Sequence, residues 1–253
     1  MTLENEEFNI GRFSFHPTTF NAHFTVFRND ATGGTVALAN AGNHFNDEGL
    51  FDTEPLLGSG WISQRRDDED CYIGTPFTPW GYALREEVRL PRTHWRQAVG
   101  LNDHTLAIHI PRGGGMTPDV CRNTFQQAVA FFATHSPDHN LKAIHCYSWI
   151  ASPLLARVLP RDANLLDLHA ETYLYPVWSK YHHGLNHIFG HLPIDPATAP
   201  RDTSLQRVIA DYLQQGYPWH IGGFFILLED VQHYGTRWYR THWQATLESL
   251  RNV

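Results

Sequence analysis

The chain of 253 residues predicts an α/β (α+β) protein: a mixed sheet with flanking helices, preceded by a β-rich N-terminal half. Three observations carry that prediction. Residues 9–90 read as a β-rich half, in which 9–15 and 20–27 alternate apolar and polar positions with the period of two that half-buried strands show. From about residue 104, short apolar runs alternate with segments of helical periodicity, the texture of an α/β unit. Hydrophobic residues make up 42% of the chain and aromatics 13%, enough apolar surface to offset the entropy of ordering it.

The elements follow in order. Residues 9–15 and 20–27 read as strands, and the second turns back through 29–34 into 35–39, a hairpin signal. The charged stretch 64–70 reads as a solvated loop, with strands expected over 72–77 and 81–90. Residues 105–110 form a short apolar strand ending at Pro111. Thr117-Pro118-Asp119 then supplies an N-cap, a proline at the first helical position and an acid in the first turn. A helix starts there, with Cys121, Phe125, Ala128 and Phe132 on one face as far as His135. Residues 142–150 read as a buried strand, Ser152-Pro153 opens a short helix through Leu159, and 165–175 reads as a long strand. Thr203-Ser204-Leu205-Gln206 is a capping box, and Gly216 stands as the stop of its helix. A last strand spans 219–228, and 234–250 reads as a C-terminal helix. The domain reading is a β-rich region over 1–94 followed by an α/β domain over 95–253.

Composition narrows function. Lys plus Arg number 19 against 26 Asp plus Glu, a net charge of −7 with no basic block, which argues against nucleic acid as a partner. No apolar run approaches the roughly 20 residues that cross a bilayer, and no membrane association is expected. The start, from Met1 to Glu7, lacks a positive n-region and an apolar h-region, so a cytoplasmic location is expected. Cys71, Cys121 and Cys146 are odd in number and widely spaced, which suits reduced thiols.

The junction at 105–117 is the richest in chemistry. A strand ends at His109-Ile110, the turn Pro111-Arg112-Gly113-Gly114-Gly115-Met116 follows, and a helix opens at Thr117. Bare amides in such a turn converge on an anion, the helix dipole favours negative charge there, and Arg112 adds a fixed cation. The competing reading is a flexible surface turn. His109 can accept a proton beside a ligand at the strand end, or serve as a half-buried structural histidine. At the next strand end, alternation sends His145 and Tyr147 to one face and Cys146 and Ser148 to the other, which disfavours a Cys–His nucleophile pair. Ser148 can donate a proton or cap the helix that follows. His182, His183, His187 and His191 have the look of a metal site, but Gly184, Gly190 and Pro193 oppose a stable helix, and a solvated loop is the competing reading.

The run His109-Ile110-Pro111, the glycine turn and the helix ending Ala130-Phe131-Phe132 resemble the C-terminal catalytic domain of a bacterial group of acyltransferases with a GNAT-like fold. Further matches come in the same order: Cys146-Tyr147-Ser148-Trp149, Leu159-Pro160 before Asp162-Ala163-Asn164, the Asp202–Arg207 capping region, and Gly222-Gly223. The resemblance covers about residues 95–230. It implies that Arg112, Gly113, Gly114, Gly115, Met116 and Thr117 bind the diphosphate of coenzyme A, that the backbone of Ile108 to Ile110 pairs with pantetheine, and that Asn164 lines the carrier site. It implies His109 as the base, and Ser148 or Tyr147 as the acid that protonates the leaving thiolate. The expected reaction is acyl transfer from acyl-CoA, or an acyl-carrier-protein thioester, to a small amine acceptor by direct attack. Two rival readings stand beside it: a metal-dependent hydrolase or oxygenase using the His-rich segment, and a non-catalytic GNAT-like ligand-binding module.

Overall fold

The structure is a computed structural model and describes residues 6–52, 60–180 and 182–251. Residues 1–5, part of the start on which the expected location rests, lie outside the described residues.

The N-terminal region opens with β1 (Phe8–Ile10) and β2 (Phe13–Thr19), an antiparallel pair turning at Gly11. Gly11 has φ +57°, and a Cβ there would lie 2.5 Å from Thr124 Oγ1, so only glycine lets this turn touch the helix behind it. The expected hairpin forms from β3 (Phe24–Asn29) and β4 (Thr35–Ala39), and Asn29 Oδ1 accepts from the amides of Ala31 and Thr32 in the turn. Short strands follow: β5 (His44–Phe45), β6 (Trp61–Ile62), β7 (Arg65–Asp67), β8 (Cys71–Gly74), β9 (Pro76–Phe77), β10 (Val88–Pro91) and β11 (Trp95–Val99).

Two expectations are corrected here. The charged stretch 64–70 is not all loop, because Arg65–Asp67 pairs antiparallel with β8 at a sheet edge, where charged side chains stay in water. The strand expected over 81–90 is confined to β10.

The C-terminal region runs β12 (His104–His109), α1 (Pro118–His135), β13 (Ala143–Ser148), α2 (Leu155–Val158), α3 (Asn164–Glu171), β14 (Tyr173–Pro176), α4 (Asn186–Phe189), α5 (Ser204–Gln214), β15 (Gly222–Leu227) and α6 (Trp238–Arg251). Thr117 caps α1, its Oγ1 accepting from the amide of Val120 at 3.4 Å. Both halves of the Thr203 capping box are made, with Gln206 Oε1 accepting from the Thr203 amide and Thr203 Oγ1 from the Gln206 amide.

The strand expected over 165–175 is a helix for most of its length, α3, with only Tyr173–Pro176 extended. A short apolar run fits either form by period alone, and packing of Leu168, His169 and Ala170 into the interior selects the helix. The loop expected over 182–191 contains α4, because Leu185 and Phe189 bury against Ile209, Leu213 and Trp219 in a second core. The helix expected from Ser152 is preceded by a 3-10 turn over Trp149–Ala151 and begins at Leu155; Ser152 Oγ donates to the His220 carbonyl at 2.6 Å instead of capping.

The principal sheet has six strands in the order β1-β2-β12-β13-β15-β14. Every neighbouring pair is antiparallel except β12 with β13. β2, from the N-terminal region, pairs along β12 from His104 opposite Thr19 to His109 opposite Ser14. One core of Phe, Tyr and aliphatic side chains continues from β3 and β4 through α1 to β15 and α6. A second sheet, β11-β3-β4-β9, packs into that core.

Candidate functional site

The parallel pair diverges. β12 and β13 are joined only at Leu106 opposite Ile144 and Ala107 opposite His145. Beyond those residues each keeps its other neighbour, β12 as far as Ser14 and β13 as far as Gly222. A cavity of about 300 Å³ fills the fork, lined by Ile108 to Ile110 on one arm and Cys146 to Ile150 on the other. The backbone polar groups facing the gap lack the ladder partners that a continued sheet would supply.

Gly222 and Gly223 make room for this geometry. A Cβ at Gly222 would sit 2.1 Å from the Ala151 carbonyl oxygen, and one at Gly223 would sit 2.2 Å from the Tyr175 ring. Glycine is thus required where β15 passes under the turn that ends β13.

The glycine turn adjoins the fork. A second cavity of about 390 Å³ is lined by Arg112, Gly113, Gly114, Met116 and Asn164, and it shares His109, Ile110, Trp149 and His187 with the first. Gly113 and Gly114 are left-handed, at φ +79° and +67°. Among the described residues, the amides of Gly113, Gly114, Gly115 and Met116 donate to no protein acceptor. They stand at the N-terminus of α1, where the helix dipole adds positive potential. Gly115 and Thr117 do not line the cavity; Thr117 caps α1, and the Met116 side chain packs against the main core.

Arg12 is the participant the sequence did not reveal. It lies about a hundred residues away, yet its guanidinium donates to the Pro111 carbonyl at 2.7 Å and borders the turn cavity. Its Nε is buried without a protein partner and lies 3.1 Å from where a Gly114 Cβ would stand. The only local signal was the glycine turn at Gly11. Free amides, two cations and an orphaned guanidinium N–H fit a diphosphate.

His109 is exposed on the wall common to both cavities. Tyr147 is 67% exposed at the fork. Ser148 Oγ accepts from the Ile150 amide at 3.4 Å, capping the 3-10 turn, and its own proton has no acceptor among the described residues. Cys146 is fully buried, and burial pushes its thiol up to about 12, so it offers no thiolate. His183 and His187 face the fork cavity with His109. Among the described residues no group of three or more His, Cys, Asp or Glu side chains could hold a metal ion.

On the far side of Tyr147 lies a third cavity of about 200 Å³, lined also by Phe20, His23, His145 and Tyr175. Burial pushes both histidines down to about 4, so each is neutral at pH 7. No helix among the described residues is long and apolar enough to cross a membrane.

A parallel pair that forks beside a glycine turn and a capped helix lies at the centre of a mixed α/β domain. The chain belongs to the family described as the GNAT-like C-terminal domain, which matches residues 8–225. Among solved structures, an acyltransferase in complex with decanoyl-CoA and teicoplanin is 21% identical with a TM-score of 0.45, over 62% of this chain and 46% of that one. An acyltransferase in complex with CoA and 10C-teicoplanin is 20% identical with a TM-score of 0.45, over the same shares of 62% and 46%. The chain therefore spans less than half the length of these acyltransferases. No curated protein matches it.

Proposed function

We propose that the protein transfers an acyl group from acyl-CoA, or from the phosphopantetheine thioester of an acyl carrier protein, to the nitrogen of a small amine. The observation that carries this reading is the fork between β12 and β13 beside the unpartnered amides of the glycine turn. Arg12, Arg112 and the amides from Gly113 to Met116 hold the diphosphate, with Asn164 also lining the cavity. The gap-facing backbone of Ile108 to Ile110 pairs with the pantetheine amides as a further strand would.

The chemistry then falls at the fork. His109 takes a proton from the amine as its nitrogen forms a bond to the thioester carbonyl carbon. When the carbon–sulfur bond breaks, Ser148 Oγ or Tyr147 Oη gives a proton to the departing thiolate. The products are an amide and a free thiol. The buried, protonated Cys146 supports direct attack, since an acyl-enzyme at that position would need a thiolate.

The N-terminal region, residues 1–94, shapes the acceptor side, and residues 95–253 bind the donor. Phe20 and His23, which line the third cavity with Tyr147, support the first assignment, and Arg12 at the turn cavity supports a contribution of the N-terminal region to donor binding as well.

The test is thiol release from an acyl-CoA over a panel of amines, with wild type and His109→Ala. The variant is expected to lose about 10²–10⁴ in rate while donor affinity holds. An unchanged rate removes His109 from the mechanism. Donor binding with no turnover on any amine favours the non-catalytic ligand-binding reading, and release from an acyl carrier protein alone identifies the donor.

A further inference from the structure

α3 lends Asn164 and Leu165 to the turn cavity, but its Leu166, Asp167, His169 and Ala170 line a separate cleft. That cleft, of about 330 Å³, lies between α3, the start of α6, Trp80 and Leu174. Three arginines border it: Arg161, Arg237 and Arg240. None takes part in an ion pair among the described residues. Arg240 Nε is buried and has no hydrogen-bond partner.

The carboxylates facing these cations, Asp167 and Glu171, offset them only in part. Asp167 is the carboxylate on the cleft wall. Glu171 lies nearby, but its Oε2 accepts from the amides of Gly235 at 2.6 Å and Arg237 at 3.0 Å, the turn that leads into α6. His169 is held neutral by burial, its pKa near 4, and its Nε2 bonds the Ile150 carbonyl. Burial, and then the charge of Arg237, push Arg240 down to about 10, against a smaller upward pull from the Glu171 carboxylate. In a chain of net charge −7, three guanidinium groups without an ion-pair partner around one cleft make a local positive site that suits an outside anion, and Arg240, whose Nε is buried, gains most from one.

The cleft also offers a flat apolar wall. Trp80 is 41% exposed, and the Arg240 guanidinium carbon lies 5.6 Å from its ring centroid. A ring laid on the indole would leave its substituent beside the arginines. The volume falls in the range of small-molecule sites.

We propose that this cleft binds a small molecule in which a planar ring carries an oxyanion, the ring against Trp80 and the oxyanion between Arg161, Arg237 and Arg240. The site is distinct from the donor cavity and does not depend on the acyl-transfer reading. Phosphate and carboxylate share the required chemistry, and the experiment separates them.

Titration calorimetry at constant ionic strength, with phenyl phosphate, benzoate and ring-less methyl phosphate, tests the site. One-to-one saturable binding of phenyl phosphate or benzoate is expected, tighter than that of methyl phosphate, and the tighter of the two ring-bearing anions names the head group. The double variant R161Q/R237Q should weaken it about tenfold or more, as loss of charge-assisted hydrogen bonds does. Both arginines are exposed, so the fold survives their substitution. R12A/R112A, which disarms the donor cavity, should leave the affinity unchanged. No saturable binding up to about 10 mM, equal affinity in R161Q/R237Q, or loss of affinity in R12A/R112A would each overturn the proposal.

Discussion

Ala107 and His145 are the last partners in the parallel ladder between β12 and β13. One residue further along, Ile108 and Cys146 border a cavity instead of each other. The fork is held open from both sides, because His109 still pairs opposite Ser14 and Ser148 opposite Gly222. It is an opening built into the sheet, with backbone groups along its inner edges that have no strand partner.

A bound pantetheine should satisfy those groups. Amide hydrogen exchange is expected to slow at the gap-facing amides of residues 108–110 and 146–148 when an acyl-CoA is added, and to stay constant in the paired segment before Ala107. Exchange that does not change at the fork, with donor bound, would place the carrier elsewhere.

Arg12 and Arg112 both border the turn cavity, one anchored to the Pro111 carbonyl and the other exposed. Replacing either with Ala removes a charge-assisted contact worth about 1.5–3 kcal/mol, so CoA binding should weaken by roughly ten- to a hundredfold. Calorimetry with CoA measures it. An unaltered dissociation constant for both variants would sink the diphosphate assignment.

Gly222→Ala and Gly223→Ala should each destabilise the protein. The new methyl group meets the Ala151 carbonyl at 2.1 Å in the first and the buried Tyr175 ring at 2.2 Å in the second, and neither neighbour is the free end of a flexible side chain. Overpacking of this kind costs about 1–3 kcal/mol. Urea denaturation reads the loss, and wild-type stability in both variants would contradict the packing described.

Stability should fall with acidity through three histidines, His169 buried and His23 and His145 half-buried. His23, His145 and His169 are each pushed by burial from 6.5 to about 4. Above pH 6.5 they are neutral whether folded or not, and they contribute no penalty. As pH drops from about 6.5 towards 4, the unfolded chain takes up protons that the folded one refuses, so stability is lost across that window by on the order of 3 kcal/mol per histidine. Denaturation midpoints at about pH 7.5 and about pH 5, with proton uptake on unfolding, check it. An equal midpoint and no uptake would refute the burial of these rings.

Much of the donor side could be read along the chain because its signals are local. The cap at Thr117, the proline after it, the glycines before it and the period of Cys121, Phe125 and Phe132 all act within a few residues of one another. The Thr203 capping box is legible for the same reason. The segment 165–175 was ambiguous because an apolar run satisfies a buried strand as well as a helix, and only its neighbours decide. The His-rich stretch misled in a similar way. Its spacing suggested ligands or loop, whereas Leu185 and Phe189, packing on α5, are what order it and turn His183 and His187 towards the fork.

By itself the sequence determined the α/β class, the strand–turn–helix junction and its family resemblance, since each rests on propensity, capping and period, which are properties of neighbouring residues. Only the tertiary structure decided that β12 and β13 part after Ala107 and His145, that Arg12 joins Arg112 at the turn, and that Arg161, Arg237 and Arg240 share a cleft. Those relationships depend on strand register and on contacts between groups up to a hundred residues apart. Register is set by which faces the whole core buries, a condition that no short stretch of the chain contains.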